Sequence, residues 1–214
     1  TAPPPTLTPT STPCPSGMVP LEGNCATVTP LSISEWTLAY EGDYSADDGT
    51  QSESDRGRWY IEDLELHVDL YKDFALMYPD TPVKCRECKI QIEARLKTES
   101  ENVYYGLIFR GTDSFYTLEV NPQGQYRVRK RHSDHTWETL LEPQTSSRIK
   151  KGNEVNWLQV ICVRDSLLIY INSPTPIKQV TNIDTREGYA GFFAATQDPP
   201  ISVAFDNFKV YERP

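Results

Sequence analysis

An all-β fold, a two-sheet antiparallel β-sandwich, is what this sequence predicts, on three observations. The last third of the chain falls into short β-type runs separated by turn residues. These are Asn156-Trp-Leu-Gln-Val-Ile-Cys-Val with Leu167-Leu-Ile-Tyr-Ile, then Gly188-Tyr-Ala-Gly-Phe-Phe-Ala, then Val203-Ala-Phe-Asp-Asn-Phe-Lys-Val-Tyr. The last run alternates apolar and polar residues, the period of a strand with one face in a core. Upstream the same texture continues, and no stretch carries apolar residues at helical spacing.

The elements follow in order. Residues 1–30 open with Thr1-Ala-Pro-Pro-Pro-Thr-Leu-Thr-Pro-Thr-Ser-Thr-Pro and read as a Pro/Thr-rich stalk or linker. Proline fixes φ and removes donors, so such a segment stays extended and solvated. The sandwich domain is expected over residues 31–214, with the acidic, apolar-poor stretch Ala39–Arg58 as loop. Strands are predicted at Trp59–Leu66, Lys89–Leu96, Tyr104–Arg110, Phe115–Val120, Tyr126–Arg131 and Trp137–Leu141. They continue at Trp157–Val163, Leu167–Ile171, Ile177–Val180, Tyr189–Ala194 and Ser202–Tyr211. Turn signals separate them at Gly111-Thr-Asp, Asn121-Pro-Gln-Gly, Lys151-Gly-Asn, Asn172-Ser-Pro and Asp198-Pro-Pro. So many short strands at this spacing suggest two antiparallel sheets packed face to face.

At 214 residues one domain with a sizeable core is feasible. No run approaches the ~20 apolar residues that span a bilayer. The net charge of −9 argues against nucleic acid, which selects a basic footprint. The chain opens in mid-linker without a signal peptide and reads as a segment of something longer. Any membrane association is therefore expected through a neighbouring segment outside it.

Cysteine placement points to an oxidising compartment, hence an extracellular or cell-surface location. Cys14 and Cys25 bracket a core-poor loop that a disulfide would tie down, and Cys85 and Cys88 form a Cys-x-x-Cys. A zinc ribbon needs a second such pair, and a thioredoxin-type pair needs a βαβ context; neither is present. Two structural disulfides are favoured over free thiols. Cys162, within an apolar run, is expected as a buried thiol.

Between residues 59 and 211 the order of motifs resembles a known family. Tyr105-Gly-Leu-Ile-Phe-Arg, Phe115-Tyr-Thr-Leu-Glu-Val and Gly124-Gln-Tyr-Arg-Val come first. Trp137-Glu-Thr-Leu-Leu, Gly152-Asn-Glu-Val-Asn-Trp-Leu, Gly188-Tyr-Ala-Gly and Phe205-Asp-Asn-Phe follow. Together they look like the concanavalin A-like (LamG-like) jelly-roll modules of bacterial surface proteins. They are especially similar to the 3-keto-disaccharide hydrolase domain family and to related carbohydrate-binding modules. The resemblance implies a curved sandwich, a carbohydrate on its concave face and, in some members, a structural calcium. An acidic residue of the last strand can ligate that calcium, which makes Asp206 the candidate metal residue. Read locally, Asp206-Asn207 is instead a bulge whose side chains bond nearby backbone.

Strand alternation sorts the remaining candidates. With Tyr105, Leu107, Phe109, Tyr116, Leu118, Val120, Tyr126 and Val128 in the core, Arg110, Glu119, Arg127 and Arg129 share one exposed face. Guanidinium forks and carboxylates suit sugar hydroxyls, and Trp137, Tyr104 or Trp59 could stack on a pyranose. The plainer alternative is a solvated face laced with cross-strand ion pairs. His132-Ser-Asp-His135 reads as a solvated turn rather than a metal cluster. In Glu62-Asp63-Leu64-Glu65 only Asp63 and Glu65 share a face, and a surface strand accounts for them better than a glycosidase carboxylate pair. His67, His132 and His135 lack a second element at recognisable spacing, and no Gly-x-Ser-x-Gly or phosphate loop occurs.

The expected function is a non-catalytic, monomeric carbohydrate-binding or ligand-sensing module on a stalk, with a glycan as partner. The alternatives are a glycoside hydrolase or lyase of the keto-disaccharide type, and a protein-interaction ectodomain of a membrane receptor such as a receptor kinase.

Overall fold

The computed structural model describes residues 18–21, 24–27, 36–42, 44, 52–78 and 82–213. Two compact units divide the chain, Thr1–Ser32 and Ile33–Pro214. In the first, β1 (Met18–Leu21) and β2 (Asn24–Thr27) form an antiparallel pair in the register Met18↔Thr27 to Leu21↔Asn24. Cys14 lies outside the described residues, and the expected Cys14–Cys25 bond with it.

The regular elements of the second unit are all strands among the described residues. In chain order come β3 (Thr37–Glu41), β4 (Ser52–Glu53), β5 (Gly57–Glu62), β6 (Glu65–Leu70), β7 (Phe74–Tyr78), β8 (Lys84–Cys85), β9 (Cys88–Leu96) and β10 (Val103–Gly111). Then follow β11 (Phe115–Val120), β12 (Gln125–Arg131), β13 (Trp137–Thr145), β14 (Asn156–Val163), β15 (Ser166–Ile171), β16 (Lys178–Val180), β17 (Gly188–Thr196) and β18 (Ile201–Glu212). One sheet runs β13-β12-β11-β10-β17-β7, with β8 beside β17. The other runs β16-β15-β14-β9-β18-β6-β5-β4, with β3 on the far half of β18.

Alternation explains how they pack. Strand β9 reads buried, half-buried, buried along its whole length, which sends Ile90, Ile92, Ala94 and Leu96 inward. The inward residues of the facing sheet, Tyr105, Leu107, Phe109, Tyr116, Leu118 and Val128, join them in one core. Burying such side chains, at ~25 cal/mol per Å² of apolar surface, is what holds the two sheets together. The bulge expected in the last strand is present: the β18–β9 register shifts between Asp206 and Lys209, and Asn207 takes a left-handed φ of 52°.

Three expectations need correction. The acidic run at Glu62–Glu65 is not the inside of one strand. Asp63 and Leu64 both have positive φ (54° and 67°) and form the two-residue turn between β5 and β6. The stretch Ala39–Arg58 is not all loop, since it contains the end of β3, β4 and the start of β5. Arg110 leaves the face assigned to it. The β10–β17 register slips between Ile108 and Gly111, Arg110 adopts φ 51°, and its side chain is wholly buried.

The buried Arg110 guanidinium ties down three loops. It donates to the carbonyls of Arg86 (3.1 Å) and Arg164 (2.7 Å), and Nη1 donates to that of Asp184. The Asp184 amide also donates to Tyr116 Oη at 2.9 Å. Gly188 makes room for the bulge, because a Cβ there would collide with the Arg110 backbone. Cys85 and Cys88 form a disulfide beside Arg86, with Cα atoms 5.8 Å apart. Cys162, directly across from Cys88 in register, is the buried thiol expected of it; burial pushes it up to about 12, against the pull of Arg110.

Removing this latch orphans buried carbonyls at about 1–3 kcal/mol each. Arg110→Met is therefore expected to lower unfolding stability by about 3 kcal/mol or more, read from the urea midpoint, because three acceptors lose their donor at once.

Candidate functional site

The outer face of β10–β11–β12–β13 is built around Glu119. Register sets Glu119 opposite Gly106 on one side and Arg127 on the other, with Thr117 two residues back and opposite Arg129. Gly106 passes close beneath: a Cβ there would collide with the Leu118 carbonyl. The Glu119 carboxylate is fully buried and both oxygens are engaged. Oε1 accepts from Thr117 Oγ1 and Arg129 Nε, each at 2.7 Å. Oε2 accepts from Arg127 Nε at 2.8 Å and from Arg129 Nη2 at 3.1 Å, with Arg127 Nη2 at 2.8 Å.

Each arginine lies over a ring. Arg127 sits 3.5 Å from the Tyr104 centroid and Arg129 4.0 Å from that of Trp137. Trp137 in turn meets Phe115 and Phe193 edge-on, at 5.7 and 6.2 Å between centroids. Ile108, Phe115 and Phe193 form a second small core under these rings, separate from the main one.

The outer face is thus a layered floor instead of an open solvated sheet. Glu119 and Thr117 are buried; Arg127 and Arg129 are 19% and 17% exposed. Neither guanidinium Nη1 has an acceptor among the described residues.

Above this floor lies a cleft of about 540 Å³. Arg127, Arg129, Trp137 and Tyr104 line it together with a set of amides: Asn102, Asn121, Gln123, Gln125 and Gln197. Asn121 and Gln125 bond each other across the β11–β12 turn, and Gln123 Nε2 donates to the Glu101 carbonyl. The side chains of Asn102 and Gln197 are exposed, with no hydrogen bond among the described residues. Asp73 and Glu101, both exposed, also line it.

Of the residues singled out from sequence, Glu119, Arg127, Arg129 and Trp137 come together here, with Tyr104. Arg110 does not, being part of the latch. Trp59 belongs to the main core of the other sheet. His132 and His135 form the β12–β13 turn, where His132 Nε2 pairs with Glu138 at 2.9 Å and Asp134 accepts from Thr136. The amides were missed. The only signal for them was that residues 102, 121, 125 and 197 fall at the same end of adjacent antiparallel strands.

Asp206 lies on the outer face of the other sheet. Its Oδ1 accepts from the Asn207 amide at 2.6 Å, and Asn207 Nδ2 reaches Glu93 at 3.0 Å. Burial raises the Asp206 carboxyl above its ordinary value, and Glu93 and Glu65 push the same way. No three His, Cys, Asp or Glu residues converge among the described residues. Glu65 is bound to Arg95, and Asp63 stays in its turn.

Fold and cleft together define a concanavalin A-like jelly-roll sandwich. No family model and no curated protein matches the chain, so the likeness rests on solved structures. The carbohydrate-binding module CBM66 of Bacillus subtilis is similar over 92% of this chain and 99% of its own, at TM-score 0.50 and 12% identity. The laminarinase catalytic domain of Thermotoga maritima MSB8 is similar over 84% and 99%, at TM-score 0.59 and 8% identity. An endo-β-galactosidase of Clostridium perfringens is similar over 87% of this chain and 65% of its own, at TM-score 0.62 and 11% identity. At these identities the likeness establishes the fold.

Breaking a buried ion pair by removing one partner costs about 3–5 kcal/mol. Glu119→Ala is expected to fall in that range in a denaturant titration, and to cost more than Arg127→Ala, since it strips two guanidiniums of their carboxylate, whereas Arg127→Ala leaves Glu119 still paired with Arg129.

Proposed function

We propose that residues 33–214 are a non-catalytic glycan-binding module, carried outside the cell on the Thr/Pro-rich segment. The observation that carries the reading is the cleft above Glu119. It presents two ring-braced guanidiniums with unspent donors, beside amides that both donate and accept. Sugar hydroxyls need several fixed partners at once, and amides and guanidiniums supply them. The Cys85–Cys88 disulfide supports an oxidising compartment. No helix among the described residues is long and apolar enough to cross a membrane.

Catalysis is disfavoured by how Glu119 is used. A glycosidase needs two carboxyl groups aimed at the scissile bond, whereas both Glu119 oxygens are committed to Thr117, Arg127 and Arg129. The remaining cleft carboxylates, Asp73 and Glu101, are both exposed. The calcium implied by the resemblance would be a structural one, outside the cleft. It would fall at Asp206, where a cation relieves the repulsion from Glu93 and Glu65.

Titration calorimetry against a broad glycan panel tests the proposal. At least one polysaccharide should bind, and Asn102→Ala with Gln197→Ala should weaken it about tenfold or more without moving the melting temperature. Silence across the panel would sink the idea. Release of reducing ends that disappears in Asp73→Asn or Glu101→Gln protein would replace it with a hydrolase. For the metal, calcium should raise the melting temperature, EDTA should reverse the rise, and Asp206→Asn should abolish it.

A further inference from the structure

We propose that the glycan bound in this cleft is anionic, and that Arg127 and Arg129 hold its carboxylate or sulfate groups. The inference rests on the glycan-binding reading above and narrows its ligand class.

The chain as a whole carries a net charge of −9. Strand β12 nevertheless sets Arg127, Arg129 and Arg131 at alternate positions of the outer face, over Tyr104, Trp137 and Phe115 respectively. The first two share a single carboxylate, Glu119. Two cations against one anion leave one unmatched positive charge in the cleft floor.

That surplus decides the class of ligand. A neutral sugar covering the floor would strip water from a charge with no counter-ion, and an uncompensated buried charge is costly. A carboxylate or sulfate supplies the missing anion. The free Nη1 of each arginine offers it charge-assisted donors. The pairing to Glu119 and the rings beneath already hold both side chains in place, so little side-chain entropy is lost on binding.

Asp73 and Glu101 do not cancel this arrangement. Both are exposed and open to screening, while the arginines are four-fifths buried.

Matched probes that differ only in charge test this on the unmodified protein. Polygalacturonate is set against its fully methyl-esterified form, and a sulfated galactan against the same polymer after desulfation. At least one charged probe should bind about tenfold or more tightly than its neutral counterpart. Its affinity should fall as sodium chloride rises from about 50 to 300 mM. The first pair reports a carboxylate ligand, the second a sulfate. Arg129→Gln should bring the charged form down to the neutral one, and Arg127→Lys, which keeps the charge but loses the fork, should give an intermediate loss. Equal affinity within both pairs overturns the anionic ligand and leaves glycan binding intact. Binding confined to neutral polymers does the same. No binding to any glycan, charged or neutral, overturns both.

Discussion

Glu119 sits in mid-sheet with no exposure to water, and a carboxylate in that position needs cations at hydrogen-bonding distance. The neighbouring strand supplies them at alternate positions, so Arg127 and Arg129 are drawn down onto the sheet instead of extending into solvent. Beneath the two guanidiniums lie the rings of Tyr104 and Trp137. Those rings in turn roof Ile108, Phe115 and Phe193. Charge, ring and apolar layer each depend on the one below, and the cleft is what remains above.

The same residue type does opposite work at the end of the sandwich. Arg110 satisfies its charge with carbonyl dipoles from three loops rather than with a carboxylate, and takes no part in the cleft. What separates it from Arg127 and Arg129 is one left-handed backbone step that β17 tolerates because Gly188 has no side chain. The sandwich therefore uses arginine once as a mortar between loops and twice as a surface facing outward.

Much of the architecture was legible as period-2 alternation. Residues 105, 107, 109, 116, 118, 120, 126 and 128 all face the main core as their pattern demands. Alternation assigns a face but not what covers it, so the burial of Glu119 and Thr117 under a second layer had no signature. It also assumes an unbroken pleat, which fails at Arg110, where a non-glycine residue adopts positive φ. The β5–β6 turn was invisible for a related reason, since Asp63-Leu64 lacks the glycine or asparagine that usually marks such a hairpin. The short strands β4 and β8 are two residues each and carry no period to read.

The Arg110 latch grips its three loops by their main chain alone. A carbonyl oxygen is the same whichever side chain hangs beside it, so positions 86, 164 and 184 owe nothing to this contact through their identity. Their lengths are another matter: a residue added or deleted before any of the three carbonyls would carry it out of reach of the guanidinium. That end of the molecule is free in its spelling and strict in its metre, so loop variants there would differ in surface chemistry while keeping one frame.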